Sequence, residues 1–118
     1  MIFKSVLFVF LFAGITFGQD IAANALKAFD KDKNANKAFA VAKEAFEKGQ
    51  VGEAQKILLI LKEHKKDAEL YDLLAKVWDK YGVVDNAKSN YEEAEKVDPN
   101  NIGRKYILAD MYFKNNQI

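Results

Sequence analysis

Between Ala68 and Pro99 the apolar residues fall into two helical stripes separated by a glycine. Tyr71, Leu74, Ala75 and Trp78 recur at intervals of three and four residues; after Gly82 the pattern resumes at Ala87, Tyr91 and Ala94, and it stops at Pro99. Residues so spaced share one side of an α-helix, so each stripe predicts an amphipathic helix with a buried face. The sizes narrow this further. Ala75, Ala87 and Ala94 allow two helix backbones to approach closely, while Tyr71, Trp78 and Tyr91 fill the hollows beside them. Gly82 predicts the break between the helices and Pro99 the end of the second, because glycine weakens a helix and proline cannot continue one. A helical hairpin of this size cannot bury both of its apolar faces alone, so it needs neighbours.

The same spacing returns on both sides of that stretch. From Ala35 to Asp67, the first-helix places are taken by Ala38, Val41, Ala42 and Ala45, the break by Gly49, and the second-helix places by Ala54, Leu58 and Leu61. Lys66 stands where proline is expected, and this copy is one residue shorter. From Ile102 to Ile118, Leu108, Ala109 and Tyr112 repeat the first helix, with Lys105 in place of an aromatic and Asn115-Asn116 in place of glycine. The run from Ile57 to Leu61 is continuously apolar and suits a buried strand as well as a helix; no turn residues bound it, and Lys56 and Lys62 flank it in helical register. It is expected to be the most buried helix, covered on several sides and without a polar face.

The order aromatic-x2-Leu-small-x2-aromatic, then Ala-x3-aromatic, then Pro, carried by Tyr71, Leu74, Ala75, Trp78, Ala87, Tyr91 and Pro99, resembles the tetratricopeptide repeat. The resemblance covers one clear repeat (Ala68–Asn101), one degenerate repeat (Ala35–Asp67) and half a repeat (Ile102–Ile118). It implies an all-α fold: a right-handed α-solenoid of antiparallel helical hairpins, about five or six helices in all, with Trp78, Tyr91, Leu74 and Leu58 in the core. It also implies a concave groove, lined by the first helix of each unit, that binds an extended peptide or a partner helix. The corresponding residues are Phe39, Lys43, Phe46 and Glu47, then Glu69, Asp72, Lys76, Asp79 and Lys80, then Tyr106, Asp110, Phe113 and Lys114. Their mixed charge and interspersed aromatics favour a polypeptide over a polyanion. Members of the family that clamp the C-terminal carboxylate of chaperones use Lys, Asn and Arg donors on this face. Here Phe39, Leu73, Gly103 and Ile107 hold most of those places, so that partner is not expected.

Residues 1–18 read as a secretory signal peptide, with one charge at Lys4, an apolar core from Val6 to Ala13, and small or short residues at Thr16 and Gly18 before cleavage at Gln19. The apolar stretch is shorter than the roughly 20 residues of a spanning helix. The mature chain is therefore expected to be periplasmic or secreted, without stable insertion in a membrane. Residues 19–34 form a leading helix and loop, with Asp20 as N-cap and Ile21, Ala25, Leu26 and Phe29 on one stripe. Ile21, Ala25 and Ala28 also match Ala87, Tyr91 and Ala94, so this helix is either a plain cap or the second helix of a half repeat. Asp30-Lys31-Asp32-Lys33-Asn34 imitates the start of a calcium loop, but Ala35 replaces the turn glycine and Val41 the bidentate glutamate. A polar connection between helices is expected there.

The remaining composition excludes more than it suggests. There is no cysteine, hence no disulfide and no thiolate chemistry. Without Lys4 the basic and acidic residues balance at 17 each, which gives no general attraction to nucleic acid. Ser89 and His64 fall on separate helices with no glycine-framed nucleophile turn, and His64 closes a helix beside Lys62, Lys65 and Lys66, where positive charge suits the dipole. Glu92, Glu93 and Glu95 occupy the polar side of their helix and read as a solvated face, and Gly49, Gly52 and Gly82 mark turns between helices rather than a phosphate loop. No catalytic residue, metal or cofactor is expected. Two function classes remain: a non-catalytic protein–protein interaction scaffold, or a structural half module that self-associates or forms the N-terminal part of a longer protein. The last helix bears on this choice, since Ile102, Tyr106, Ile107, Leu108, Met111, Tyr112, Phe113 and Ile118 spread apolar surface around most of it. A cover is expected, from a second copy of the chain, a target or a further helix.

Overall fold

The computed structural model describes residues 21–115; the leader 1–18, its cleavage point, the cap Asp20 and Ile118 lie outside the described residues. Six helices follow one another: α1 (21–32), α2 (Ala35–Glu47), α3 (Val51–Leu61), α4 (Ala68–Lys80), α5 (Val84–Val97) and α6 (Ile102–Asn115). The described residues contain no strand, so the all-α expectation holds. None of these helices is long and apolar enough to cross a membrane.

The chain divides into two compact units between Ile57 and Leu58, within α3. In the unit that ends at Ile57, the buried residues are Ala22, Ala25 and Phe29 of α1, Ala38, Phe39, Ala42 and Ala45 of α2, and Ala54 and Ile57 of α3. Small side chains dominate because closely approaching helix backbones leave no room for large ones. Helix α1 runs past Phe29 and takes in Asp30 and Asp32, so the polar connection read from the sequence shrinks to Lys33 and Asn34. Lys33 adopts φ +56 and donates its N–H to the Phe29 carbonyl (2.7 Å), which closes α1. Asn34 then caps α2, its side chain accepting from the Lys37 N–H at 3.1 Å.

In the unit that begins at Leu58, the core holds Leu58, Leu61, Leu70, Leu73, Leu74, Ala75, Val77, Ala87, Tyr91, Ala94 and Leu108. Leu58, Leu74 and Tyr91 are thus interior, as their spacing implies. Trp78 is not. It is only partly buried, whereas Leu74, Ala75 and its neighbour Val77 are fully buried. A second correction concerns the apolar run of α3. Ile57, Leu58 and Leu61 are fully buried, but Leu59 and Ile60 are 41% and 50% exposed. Five consecutive residues cover the whole circumference of a helix, and only one side of this one is covered.

Helices α2 and α4 end alike. After α2 and after α4 the chain turns through Gly49 (φ +82) and Gly82 (φ +76), a backbone region that costs other residues about 1–2 kcal/mol. Gly49 N–H bonds to the Phe46 carbonyl and Gln50 N–H to Ala45; Gly82 N–H bonds to Asp79 and Val83 N–H to Trp78. Both are the same two-bond closure of a helix C-terminus. Gly52, read from sequence as a turn residue, instead lies in the first turn of α3. His64 lies in the turn after α3, which ends at Leu61, rather than closing the helix.

Candidate functional site

The groove residues read from the sequence separate into three kinds once their surroundings are known. Lys43, Glu47, Glu69, Lys76, Asp79, Lys80, Tyr106, Asp110, Phe113 and Lys114 are exposed, and Asp110 pairs with Lys114 at 3.0 Å along α6. Phe46 is half-buried, whereas Phe39 keeps only 7% of its surface and is a core residue of its unit with little to offer a ligand. Asp72 is occupied by Arg104, a residue outside the groove set.

Arg104 is placed by the start of α6. Asn101 caps this helix by accepting the Arg104 N–H at 3.0 Å, as Asp67 caps α4 by accepting the Leu70 N–H at 3.0 Å. Arg104 is 3% exposed, and its guanidinium meets Asp72 of α4 through two parallel bonds, Nε to Oδ1 and Nη2 to Oδ2, both 2.8 Å. Its Nη1 donates to Glu95 Oε1 at 3.2 Å and to the Asp98 carbonyl at 2.5 Å, with the Asp98 carboxylate 3.5 Å from Nη2. One side chain therefore ties α6 to α4, to α5 and to the chain after α5. The bidentate bonds to Asp72 hold the guanidinium protonated well above its ordinary range, against the opposing effect of burial.

The carboxylates of α5 share in this arrangement. Glu95 also receives the Lys105 ammonium, and that bond together with Arg104 holds its carboxyl below the usual range. Glu92 accepts from the Tyr112 hydroxyl at 2.6 Å, which raises the phenol, and the Lys88 ammonium sits 5.6 Å from the Tyr112 ring centre. Glu92 and Glu95, on the polar side of α5 read from the sequence as a solvated face, thus also bond α6 to α5 along its exposed edge. Glu93 pairs with Lys96 of its own helix at 3.1 Å. Within this unit Tyr91 lies between Ala75 of α4 and Leu108 of α6, with Met111 packed alongside. Burial, with Asp79 and Asp72 nearby, raises its phenol.

Because Arg104 is saturated by carboxylates and nearly sealed from water, it cannot receive a partner's carboxylate. Its role is positional: it docks α6. The sequence signal for it was a charged residue at the four-residue interval before Leu108, on the inner stripe of α6. The caps Asn34, Asp67 and Asn101 were likewise readable, as Asn or Asp directly before each first helix.

Outside this cluster, two of the apolar surfaces among the described residues are broad enough to concern a partner. A cleft of about 420 Å3 opens between α1 and α2, walled by Ile21, Ala25, Ala28, Val41 and Ala45, with the Glu44–Lys48 pair (2.9 Å) at its edge. The other is the outer side of α6, where Ile102, Tyr106 and Phe113 are 68%, 72% and 62% exposed. Ser89 and His64 are exposed. Asp30 and Asp32 lie on α1 rather than around a loop, which removes the geometry of a calcium loop.

The chain matches no family model, and no curated protein matches it.

Proposed function

We propose that the chain is an exported, non-catalytic interaction scaffold of tetratricopeptide-repeat type, with its helices stacked as a right-handed solenoid of antiparallel hairpins. The observation that supports this most is the recurrence of local detail. Helices α2 and α4 start at Ala35 and Ala68, 33 positions apart, and both have 13 residues. Over the same interval the caps Asn34 and Asp67, the left-handed Gly49 and Gly82, and the fully buried Ala54 and Ala87 correspond. Cap, turn and closest helix contact are what a stacked repeat must reproduce, because each unit presents the same surface to the next. Export rests on the leader-like residues 1–18.

The partner in this reading is a polypeptide segment. The exposed groove residues offered to it are Lys43 and Glu47 in the first unit and Glu69, Lys76, Asp79 and Lys80 in the second, and in each the charges of both signs leave backbone and side-chain recognition to decide affinity. A photo-crosslinking amino acid at Lys43 or Lys76, with Lys96 of α5 as control, tests it in the exported fraction. Discrete polypeptide adducts from the first two positions and none from the third are expected; equal labelling at all three positions counts against the groove. Mass spectrometry of the chain recovered from whole cells and medium should find Gln19 at its N-terminus, and an intact Met1 counts against a cleaved leader. The second reading, a structural half module that self-associates, draws on the uncovered side of α6.

A further inference from the structure

Helix α6 has two faces, and only one of them is used. Arg104, Leu108 and Met111 form the side turned toward α5 and α4. At 100° per residue, Ile102, Tyr106, Ala109 and Phe113 fall within an arc of about 60° on the opposite side. All four are exposed. Their spacing of four, three and four residues is the 3.5-residue period of a seam between two helices. This pattern fits a helix as its occupant better than it fits an extended strand or a lipid surface, where a wider apolar arc with free cationic flanks is needed.

The order of residues along the seam says which helix. It reads large, large, small, large, and it is complementary to itself when reversed. About a point midway between Ile107 and Leu108, Ile102 falls opposite Phe113, and Tyr106 opposite Ala109. A two-fold axis there brings a ring over a methyl twice at the centre and joins the two ends apolar to apolar, so the central positions interlock large on small. Charge does not oppose the pairing. Lys105 on one flank is held by Glu95, and Asp110 on the other by Lys114.

We propose that the outer stripe of α6 is a self-pairing surface, on which a second copy of this chain lays its own α6 antiparallel, with Ile102 against the partner's Phe113 and Tyr106 against the partner's Ala109. A 14-residue helix is about 21 Å long, so a single pair of them buries less than the roughly 1,000 Å2 of a durable interface. The dimer is therefore reversible and depends on concentration.

The chain has no cysteine, which makes a specific test available. Antiparallel pairing puts position 102 beside 113 of the partner, while the two copies of position 102 lie about 16 Å apart along the axis, beyond the reach of a disulfide. Purified Ile102→Cys and Phe113→Cys proteins, each oxidised alone, should stay monomeric on a denaturing gel, and an equal mixture should give a cross-linked heterodimer. Sedimentation equilibrium of the unaltered protein should show a monomer–dimer exchange that Tyr106→Glu abolishes with the helical circular dichroism unchanged. A disulfide dimer from either single variant alone would show parallel pairing and overturn the proposal. So would a protein that stays monomeric to about 1 mM, and that result would leave the stripe to a foreign helix.

Discussion

Arg104 carries the one buried charge among the described residues, and its removal separates a structural clasp from a surface decoration. Arg104→Ala leaves Asp72 and Asp98 without their cation and Glu95 with Lys105 alone, and breaking a buried pair in this way costs up to about 3 kcal/mol. Arg104→Lys keeps the charge but loses the two parallel bonds to Asp72, so it should recover only part of that loss. Urea unfolding monitored by circular dichroism measures both, and equal stability of the three proteins would reduce the cluster to a surface pairing. The same cluster sets an acid limit. The Glu95 carboxyl is depressed in the folded protein by Lys105 and Arg104, so its contribution is complete above the ordinary glutamate range, near 4.3, and is lost as pH falls through the lower folded value. Unfolding midpoints should therefore decline as pH falls below the ordinary glutamate range, and Glu95→Gln should lessen that decline. Arg104 was legible only in part: its four-residue interval from Leu108 put it on the inner stripe, but Asp72 lies 32 residues away and no local spacing joins them.

Among the helices, α3 and α6 are where pattern and packing part company. The run from Ile57 to Leu61 is uniformly apolar in composition but one-sided in space, and this difference is measurable. Leu58→Ala should cost about 2–4 kcal/mol and Ile60→Ala less than about 0.5 kcal/mol, the difference between opening a cavity and trimming a surface residue. Comparable losses at both sites would show that Ile60 has cover. Helix α6 is held on one side only, by Arg104, Leu108 and Met111 together with the Tyr112–Glu92 bond. Its amides should exchange faster with heavy water than those of α4, which buries five residues of its inner face. Equal protection of α4 and α6 would mean that α6 opens only with global unfolding. The helix bounds themselves were largely readable, since Gly82 and Pro99 fall where the stripes stop. The extension of α1 to residue 32 was not, because Asp30 and Asp32 are weak helix formers that only their neighbours retain.

The two compact units differ in what they bury, and that should govern how the chain unfolds. The unit up to Ile57 encloses mostly alanines, the unit from Leu58 mostly leucines. Since stabilisation follows apolar area at roughly 25 cal/mol per Å2, amides of α1 and α2 should be less protected in native-state exchange than those of α4 and α5. The reverse order would mean that close backbone contact among the alanines outweighs area. What the sequence by itself determined is the series of helices, their glycine turns and the alternation of alanines with large residues, because these depend on a period of 3.6 residues and on local backbone preference. Only the tertiary structure decided that Val77 is fully enclosed and Trp78 only partly, that Glu92 and Glu95 on the solvated side of α5 reach residues of α6, and that Arg104 is buried. Each of those depends on which atoms from distant parts of the chain arrive at the same place, and a helical period fixes the direction of a side chain without fixing what stands in front of it.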